Sequence, residues 1–442
     1  MKFLFIHQNF PGQYLHLAQH LRAVTDNEVV GVGELDNIKR RGTIGGITTL
    51  GYPSPRKAGE ATHHYLQPTE AAVRRGQAAA RVLLGLKQKG FEPDVISVHP
   101  GWGEGLFIRD IFPRTPIAMF AEFYFRAGEA DLGFDPEFPR SLDWDFSVRL
   151  RNIPQLVSLP SANVCVSPTR WQASRYPAHI RRITQILHDG IDTDFMSPGE
   201  DETLIIQPLK TPGESRIVGP SGAPALGPNE TPEGGPLRLS AKDEVIVYMA
   251  RNLEPYRGFH VFMRALPKIL ARRPKAQVLI IGSNGTSYSP PPPNGETYKN
   301  MYLKEVRDGL DFSRVHFLGR IPYAVLRSAF RIASVHVCLT YPFVLSWSTL
   351  EVMACEGLVL ASDTAPVREV IEDGRNGLLT DFFDQNKLTD NIDMVLKEPE
   401  AFIPLRKAAR RTVLEHYALR RCLPEQVRLL TELASGMYPL PD

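Results

Sequence analysis

Short apolar runs alternate along the chain with longer segments whose apolar residues recur at helical spacing. The run "FLFI" (residues 3–6) is followed by a turn at residues 9–12 and a helix through Leu21. "VVGV" comes next, then an amphipathic stretch over residues 70–89. "DVISV" leads into a glycine-rich turn and a helix over residues 106–111, and "PIAMF", "NVCVS" and "ITQIL" continue the series. Apolar strands without inside/outside alternation, separated by helices, predict a parallel sheet buried on both faces. That domain ends near residues 189–192. The pattern restarts with "EVIVYMA" (residues 244–250), then "QVLIIG", "RVHFLG", "VHVCLT" and "LVLAS", each followed by a helical segment. The chain is therefore read as α/β, with two Rossmann-like domains.

Between the two series, residues 208–236 hold seven prolines and six glycines in 29 positions. That composition predicts a loop or mobile linker. A smaller insertion, "SPPPPNG", follows the second strand of the second series, and residues 401–437 read as two helices.

Composition adds little to this. The chain has 442 residues, 43% hydrophobic and 23% charged, with a net charge of +2, which gives no reason to expect a nucleic-acid partner. The paired arginines Arg74 and Arg75 read as a solvated helix face. The four cysteines, Cys165, Cys338, Cys355 and Cys422, are far apart and read as reduced packing residues of a cytoplasmic protein. The first residues, "MKFLFIHQNF", suit a first buried strand rather than a signal peptide, and no apolar run is long enough to span a bilayer.

Candidate chemistry collects in the second series. In "YMARNLEPYRGF", Arg251 stands at the carboxyl end of a strand, and Arg257 and Gly258 stand where a helix begins. Two cations beside the open N–H groups of a helix start suit a pyrophosphate. After "VHVCLT", a helix is expected from Trp347, with Glu351 about one turn inside. A carboxylate there can accept hydrogen bonds from the two hydroxyls of a ribose. No Asp-x-Asp metal site stands at a strand end, so no metal and no cofactor are expected. Asp131 and Asp135 in "ADLGFD" read as structural or acceptor-contacting.

These segments resemble the family 4 retaining glycosyltransferases, which have the GT-B fold. "ARNLEPYRG", "VHFLGRIP", "STLEVMACEGLVLASDTAPVREVIEDGRNGLL" and, more weakly, "ILHDGIDTDFMSP" carry the resemblance. "HQNFPGQY" and "FAEFYFRAGEADLGFDPEFP" resemble a subgroup of bacterial surface-polysaccharide enzymes. The resemblance implies an acceptor-binding domain at 1–192, a junction with the insertion at 193–243, a nucleotide-sugar-binding domain at 244–420, and a helix at 421–442 that crosses back to the first domain. It implies an interdomain cleft. Arg251 and Arg257 would hold the donor diphosphate and Glu351 the ribose. The backbone at Val344, Leu345, Ser346 and Trp347 would contact sugar and phosphates. Arg320 and Ile321 would lie at the base, Gly282 beside the nucleotide, and Gly12 near the phosphate from the other domain. His99 would contact the transferred sugar, placing it with Arg251 and Arg257 in the catalytic set.

One departure stands out. Where the resemblance implies a sugar-binding glutamate eight positions before Glu351, this chain has Phe343. The nucleotide site is complete, and Phe343 is expected to pack or stack in the donor pocket. The expected activity is metal-independent, retaining transfer of a sugar from a nucleotide donor to a glycan or lipid-linked acceptor in bacterial polysaccharide biosynthesis. It would take place in the cytoplasm, with peripheral association at the inner membrane face as a variant. Two alternatives stay open: a catalytically silent nucleotide-sugar-binding partner, and a sugar-nucleotide epimerase.

Overall fold

The computed structural model of the chain describes residues 1–439 apart from Thr25, Glu129 and residues 220–225. It divides into two units. One comprises Met1–Gly190 with the C-terminal segment from Leu419; the other is Ile191–Ala418.

The first unit is built on seven parallel strands: β1 (Lys2–Ile6), β2 (Glu28–Glu34), β3 (Thr48–Tyr52), β4 (Val95–Val98), β5 (Ile117–Phe120), β6 (Val164–Ser167) and β7 (Thr184–Ile186). Their order is β3-β2-β1-β4-β5-β6-β7. Strand β1 shows why its residues are apolar throughout. Leu4 and Ile6 face a core that includes Ala79, Leu83 and Leu86 of the helix Gln67–Gln88. Phe3 and Phe5 face the opposite core, with Leu17 and Leu21 and with Leu429, Leu430 and Leu433 of the C-terminal helix Leu419–Ala434. Each such buried leucine contributes about 1.5–3 kcal/mol, enough to seat that helix.

The second unit repeats the plan. Strands β11 (Val245–Asn252), β12 (Gln277–Ser283), β13 (Val315–Gly319), β14 (Val335–Cys338), β15 (Val359–Ser362) and β16 (Leu378–Thr380) pair in parallel in the order β13-β12-β11-β14-β15-β16. Both sheets thus reverse direction once, at β1/β4 and at β11/β14. At such a reversal the loops leave in opposite directions and open a crevice for ligand.

The proline- and glycine-rich segment is largely loop, as expected, but it holds one short strand and is flanked by two more. Strands β8 (Thr203–Pro208), β9 (Ser215–Ile217) and β10 (Leu237–Ser240) form an antiparallel sheet in the order β10-β8-β9 within the second unit. Leu204, Ile206 and Leu239 fill a core with Val247, Leu279 and Leu318. Phe317 donates its N–H to the Gly213 carbonyl at 2.6 Å, and Glu214 pairs with the buried Lys299. The apolar residues that fill this core flank the turn-rich segment, which itself adds Ile217. The last part of the segment's centre, residues 220–225, lies outside the described residues.

Arg75 is a second correction. It is not solvated: it donates to the Trp102 carbonyl at 2.9 Å and lies 3.5 Å from Glu34. The four cysteines are free, and burial pushes the thiols of Cys165, Cys338 and Cys355 up to about 12 and that of Cys422 to about 11. Among the described residues, no helix is long and apolar enough to cross a membrane.

Candidate functional site

The crevice at the β11/β14 reversal holds Arg257. β11 runs through Arg251, which is exposed and whose side chain, among the described residues, makes no hydrogen bond or ion pair. A short 3-10 turn, Pro255–Arg257, then brings the chain to Gly258, which begins the helix Phe259–Arg272. Gly258 has φ +67, and a Cβ there would come within 2.3 Å of the Leu339 side chain, so glycine is required on both counts. Arg257 is half-buried. Its Nη1 donates to Thr340 Oγ1 at 2.9 Å and more weakly to the Val344 carbonyl at 3.3 Å, and its guanidinium lies 5.6 Å from the Tyr288 ring centroid. No carboxylate comes within ion-pair distance of it among the described residues. The helix begins without a side-chain cap, which leaves its first N–H groups open to an anion.

The loop after β14 supplies the other wall. Phe343 is 3% exposed, with its ring 4.6 Å from Tyr288 and 5.6 Å, edge-on, from Tyr256. Val344 turns its carbonyl to Arg257, and Leu345 is buried in the core of the unit. Ser346 precedes the helix Trp347–Ala354, which also lacks a side-chain cap; the Ser346 hydroxyl meets that of Ser348 at 2.6 Å instead. Trp347 is exposed. On this helix, Glu351 Oε1 accepts from the Tyr323 hydroxyl at 2.6 Å. Burial raises the Glu351 pKa, and the Tyr323 hydrogen bond offsets the rise only in part.

The remaining predicted residues lie along the same strand edge. Arg320, exposed just after β13, donates Nε–H to Ser283 Oγ at 2.5 Å at the end of β12. Ile321 packs on the core beneath. Gly282 is explained by packing: a Cβ there would sit 2.5 Å from the Ala250 carbonyl oxygen. Thus Arg251, Arg257, Gly258, Gly282, Arg320, the loop at 343–347 and Glu351 all belong to one end of one sheet.

Gly12 and His99 belong to the first unit, at the β1/β4 reversal. Gly12 has φ +52, and a Cβ there would touch the His7 ring at 2.8 Å. His7 follows β1 and His99 follows β4, and their rings lie 5.1 Å apart. His99 stacks on Trp102 at 4.3 Å, accepts the Gly101 N–H at Nδ1 and places Nε2 3.3 Å from Glu122 Oε2. It is 3% exposed, a histidine held on every side. Among the described residues, no group of three His, Cys, Asp or Glu side chains could hold a metal ion.

Two family models match the chain: the glycosyl transferase family 4 group over residues 25–196 and glycosyl transferases group 1 over residues 237–412. The chain belongs to the family 4 glycosyltransferases. Among similar family members, the D-inositol 3-phosphate glycosyltransferase of Corynebacterium efficiens is 26% identical over 351 residues, 76% of this chain and 71% of the relative. The phosphatidyl-myo-inositol mannosyltransferase of Mycolicibacterium smegmatis is 28% identical over 157 residues, 35% of this chain and 36% of the relative. Solved structures share the GT-B fold at low identity. Sucrose-phosphate synthase of Thermosynechococcus elongatus superposes with a TM-score of 0.69 at 15% identity, over 99% of this chain and 100% of that one. HepE of Anabaena, in complex with UDP-glucose, superposes with a TM-score of 0.61 at 14% identity, over 98% and 100%.

In this family 4 enzyme, reasoning from the sequence passed over Glu254, Tyr288 and Thr340 in the second unit. It also passed over His7, Trp102 and Glu122 in the first. Glu254 is 1% exposed, and its Oε2 accepts the N–H groups of Ser287, Tyr288 and Ser289 at 2.9, 3.1 and 2.9 Å. The only signal was an acid placed directly before Pro255 in the arginine motif. His7 was legible as a polar residue ending a buried strand, just as His99 is.

Proposed function

We propose that this glycosyltransferase takes its sugar from a nucleoside diphosphate donor, with UDP the first candidate, and that it works with retention and without a metal ion. The observation that carries the reading is Arg257: a half-buried guanidinium with neutral acceptors and a ring around it, and no carboxylate in ion-pair distance among the described residues. A buried cation without a counter-charge is costly, and a diphosphate supplies that charge. As the anomeric C–O bond breaks, charge builds on the departing phosphate oxygen. In this reading Arg257, Arg251 and the uncapped starts of the helices Phe259–Arg272 and Trp347–Ala354 stabilise it, in the manner of an oxyanion site. Glu351 takes the ribose hydroxyls in place of its Tyr323 partner. Arg320 and Ile321 border the base, Gly282 allows the nucleotide close to the backbone, and residues 344–347 offer amides to the sugar phosphate. The acceptor hydroxyl attacks from the face the phosphate leaves, and the phosphate takes its proton, which gives retention.

UDP is favoured because a structural relative was solved with UDP-glucose. The acceptor is proposed as a glycan or lipid-linked glycan of bacterial polysaccharide synthesis, reached in the cytoplasm or at the inner face of the membrane. The test is a panel of UDP- and GDP-sugars, with nucleoside diphosphate release and product stereochemistry read together. Release of UDP, unaffected by EDTA and with a retained anomeric configuration, supports the reading. Binding without turnover would make the chain a silent partner. An altered nucleotide sugar formed without acceptor would make it an epimerase.

A further inference from the structure

The second unit carries a carboxylate that the proposed reaction does not use. Glu254 is buried between the two arginines of the motif, and one of its oxygens receives three consecutive backbone N–H groups from residues 287–289. Those residues lead into the proline-rich insertion, which has no regular structure of its own before a short turn at Pro293–Gly295. Three amides converging on a carboxylate oxygen make strong, charge-assisted bonds. Two further bonds close the same seam: Tyr256 N–H to Ser289 Oγ at 3.2 Å, and Asn252 Nδ2 to Ser287 Oγ at 2.5 Å. The insertion is thereby fastened to the turn that carries Arg257.

What the fastened loop delivers is Tyr288. Its ring lies against Phe343 at 4.6 Å and beneath the Arg257 guanidinium at 5.6 Å. The other supports of that guanidinium, Thr340 Oγ1 and the Val344 carbonyl, lie on the far side of the crevice. The ring is the support that comes from the loop leading into the insertion. We infer that Glu254 is a positioning residue: by holding residues 287–289 it sets Tyr288, and Tyr288 sets Arg257 for the donor diphosphate. Phe343 then has a role of its own, as the wall that stops Tyr288 from sliding off the cation. The inference rests on the donor-site reading above.

The experiment is calorimetric titration of the full chain with UDP and with uridine, and with GDP and guanosine should UDP not bind. The variants are Glu254→Ala, Glu254→Gln, Tyr288→Leu, Arg257→Ala and the double variant Glu254→Ala with Arg257→Ala. Misplacing a charge by about an ångström costs on the order of 10–100-fold. Glu254→Ala is therefore expected to weaken UDP by at least about tenfold while uridine changes less than about twofold. Glu254→Gln, which keeps an acceptor oxygen, falls between Glu254→Ala and wild type. Tyr288→Leu, with the fastening intact, reproduces the phosphate-specific loss and serves where Glu254→Ala does not fold. In the Arg257→Ala background, Glu254→Ala adds little, because both act through one group. Equal weakening of UDP and uridine, or a Glu254→Ala loss that adds in full to that of Arg257→Ala, would overturn the inference and leave Glu254 a structural residue. An Arg257→Ala variant that binds UDP like wild type would overturn the donor-site reading, and this inference with it.

Discussion

Replacing Phe343 with glutamate restores the acid that the family resemblance places there, and the structure predicts harm rather than gain. Phe343 is 3% exposed and touches the rings of Tyr256 and Tyr288. Removing a buried phenylalanine down to alanine costs about 3–5 kcal/mol; glutamate retains part of the side chain, so the packing loss is about 2–4 kcal/mol. The rings of Tyr256 and Tyr288 offer the new carboxyl no counter-charge. Holding it neutral at pH 7 against a solution pKa near 4.3 costs about 3.7 kcal/mol. The sum, on the order of 6 kcal/mol, is a large share of the ~5–15 kcal/mol that keeps a domain folded. The variant has one escape, an ion pair with Arg257, and it takes the guanidinium from the donor phosphates. Phe343→Leu keeps the site apolar and loses about 1–2 kcal/mol of ring contacts. Thermal unfolding followed by circular dichroism, with kcat/KM on one donor sugar, separates the two. Phe343→Leu is expected to melt a few degrees below wild type with measurable transfer, and Phe343→Glu more than about 10 °C below it with transfer near background. A Phe343→Glu variant that matches wild-type melting, or exceeds wild-type kcat/KM, would refute the packing argument.

Arg251→Ala and Arg257→Ala are each expected to lower kcat by about 10²–10³, the scale for one preorganised charge stabiliser, checked by steady-state kinetics on the same donor. Because burial raises the Glu351 pKa, UDP affinity is expected to fall with decreasing pH from above the ordinary carboxylate range, and Glu351→Gln to lose that pH dependence in titrations. The same raised pKa means that this group favours the folded chain at low pH and ceases to as pH rises through the folded value. Glu351→Gln should therefore gain melting temperature relative to wild type at pH 8 and not at pH 4. Glu214→Ala leaves Lys299 buried without its carboxylate, and is expected to cost about 3–5 kcal/mol in urea unfolding; deletion of residues 211–233 should cost at least as much.

The two α/β series were legible because strands such as β1 and β12 are apolar on both faces, a pattern that turns and helices do not imitate. The positions of Arg251, Arg257 and Glu351 followed from where those strands end. Strand β3, "TTLGY", escaped notice because its polar threonines hide a short edge strand. The small sheet β10-β8-β9 was obscured by prolines that lie between its strands or at their ends. The Glu254 latch could not be read at all. Its three partners are backbone amides some 33 to 35 positions away, and backbone groups leave no mark in a sequence. Phe343 was legible as a substitution, but its aromatic neighbours Tyr256 and Tyr288 come from two separate segments that only the fold brings together.

Hydrogen–deuterium exchange of the whole chain with and without saturating UDP tests most directly where the nucleotide binds. The account predicts slower exchange at residues 257–262 and 344–351, the two uncapped helix starts and the loop between the arginine and the ribose carboxylate. The protection should disappear in Arg257→Ala at the same UDP concentration. Protection confined to other segments, or unchanged in Arg257→Ala, would contradict it.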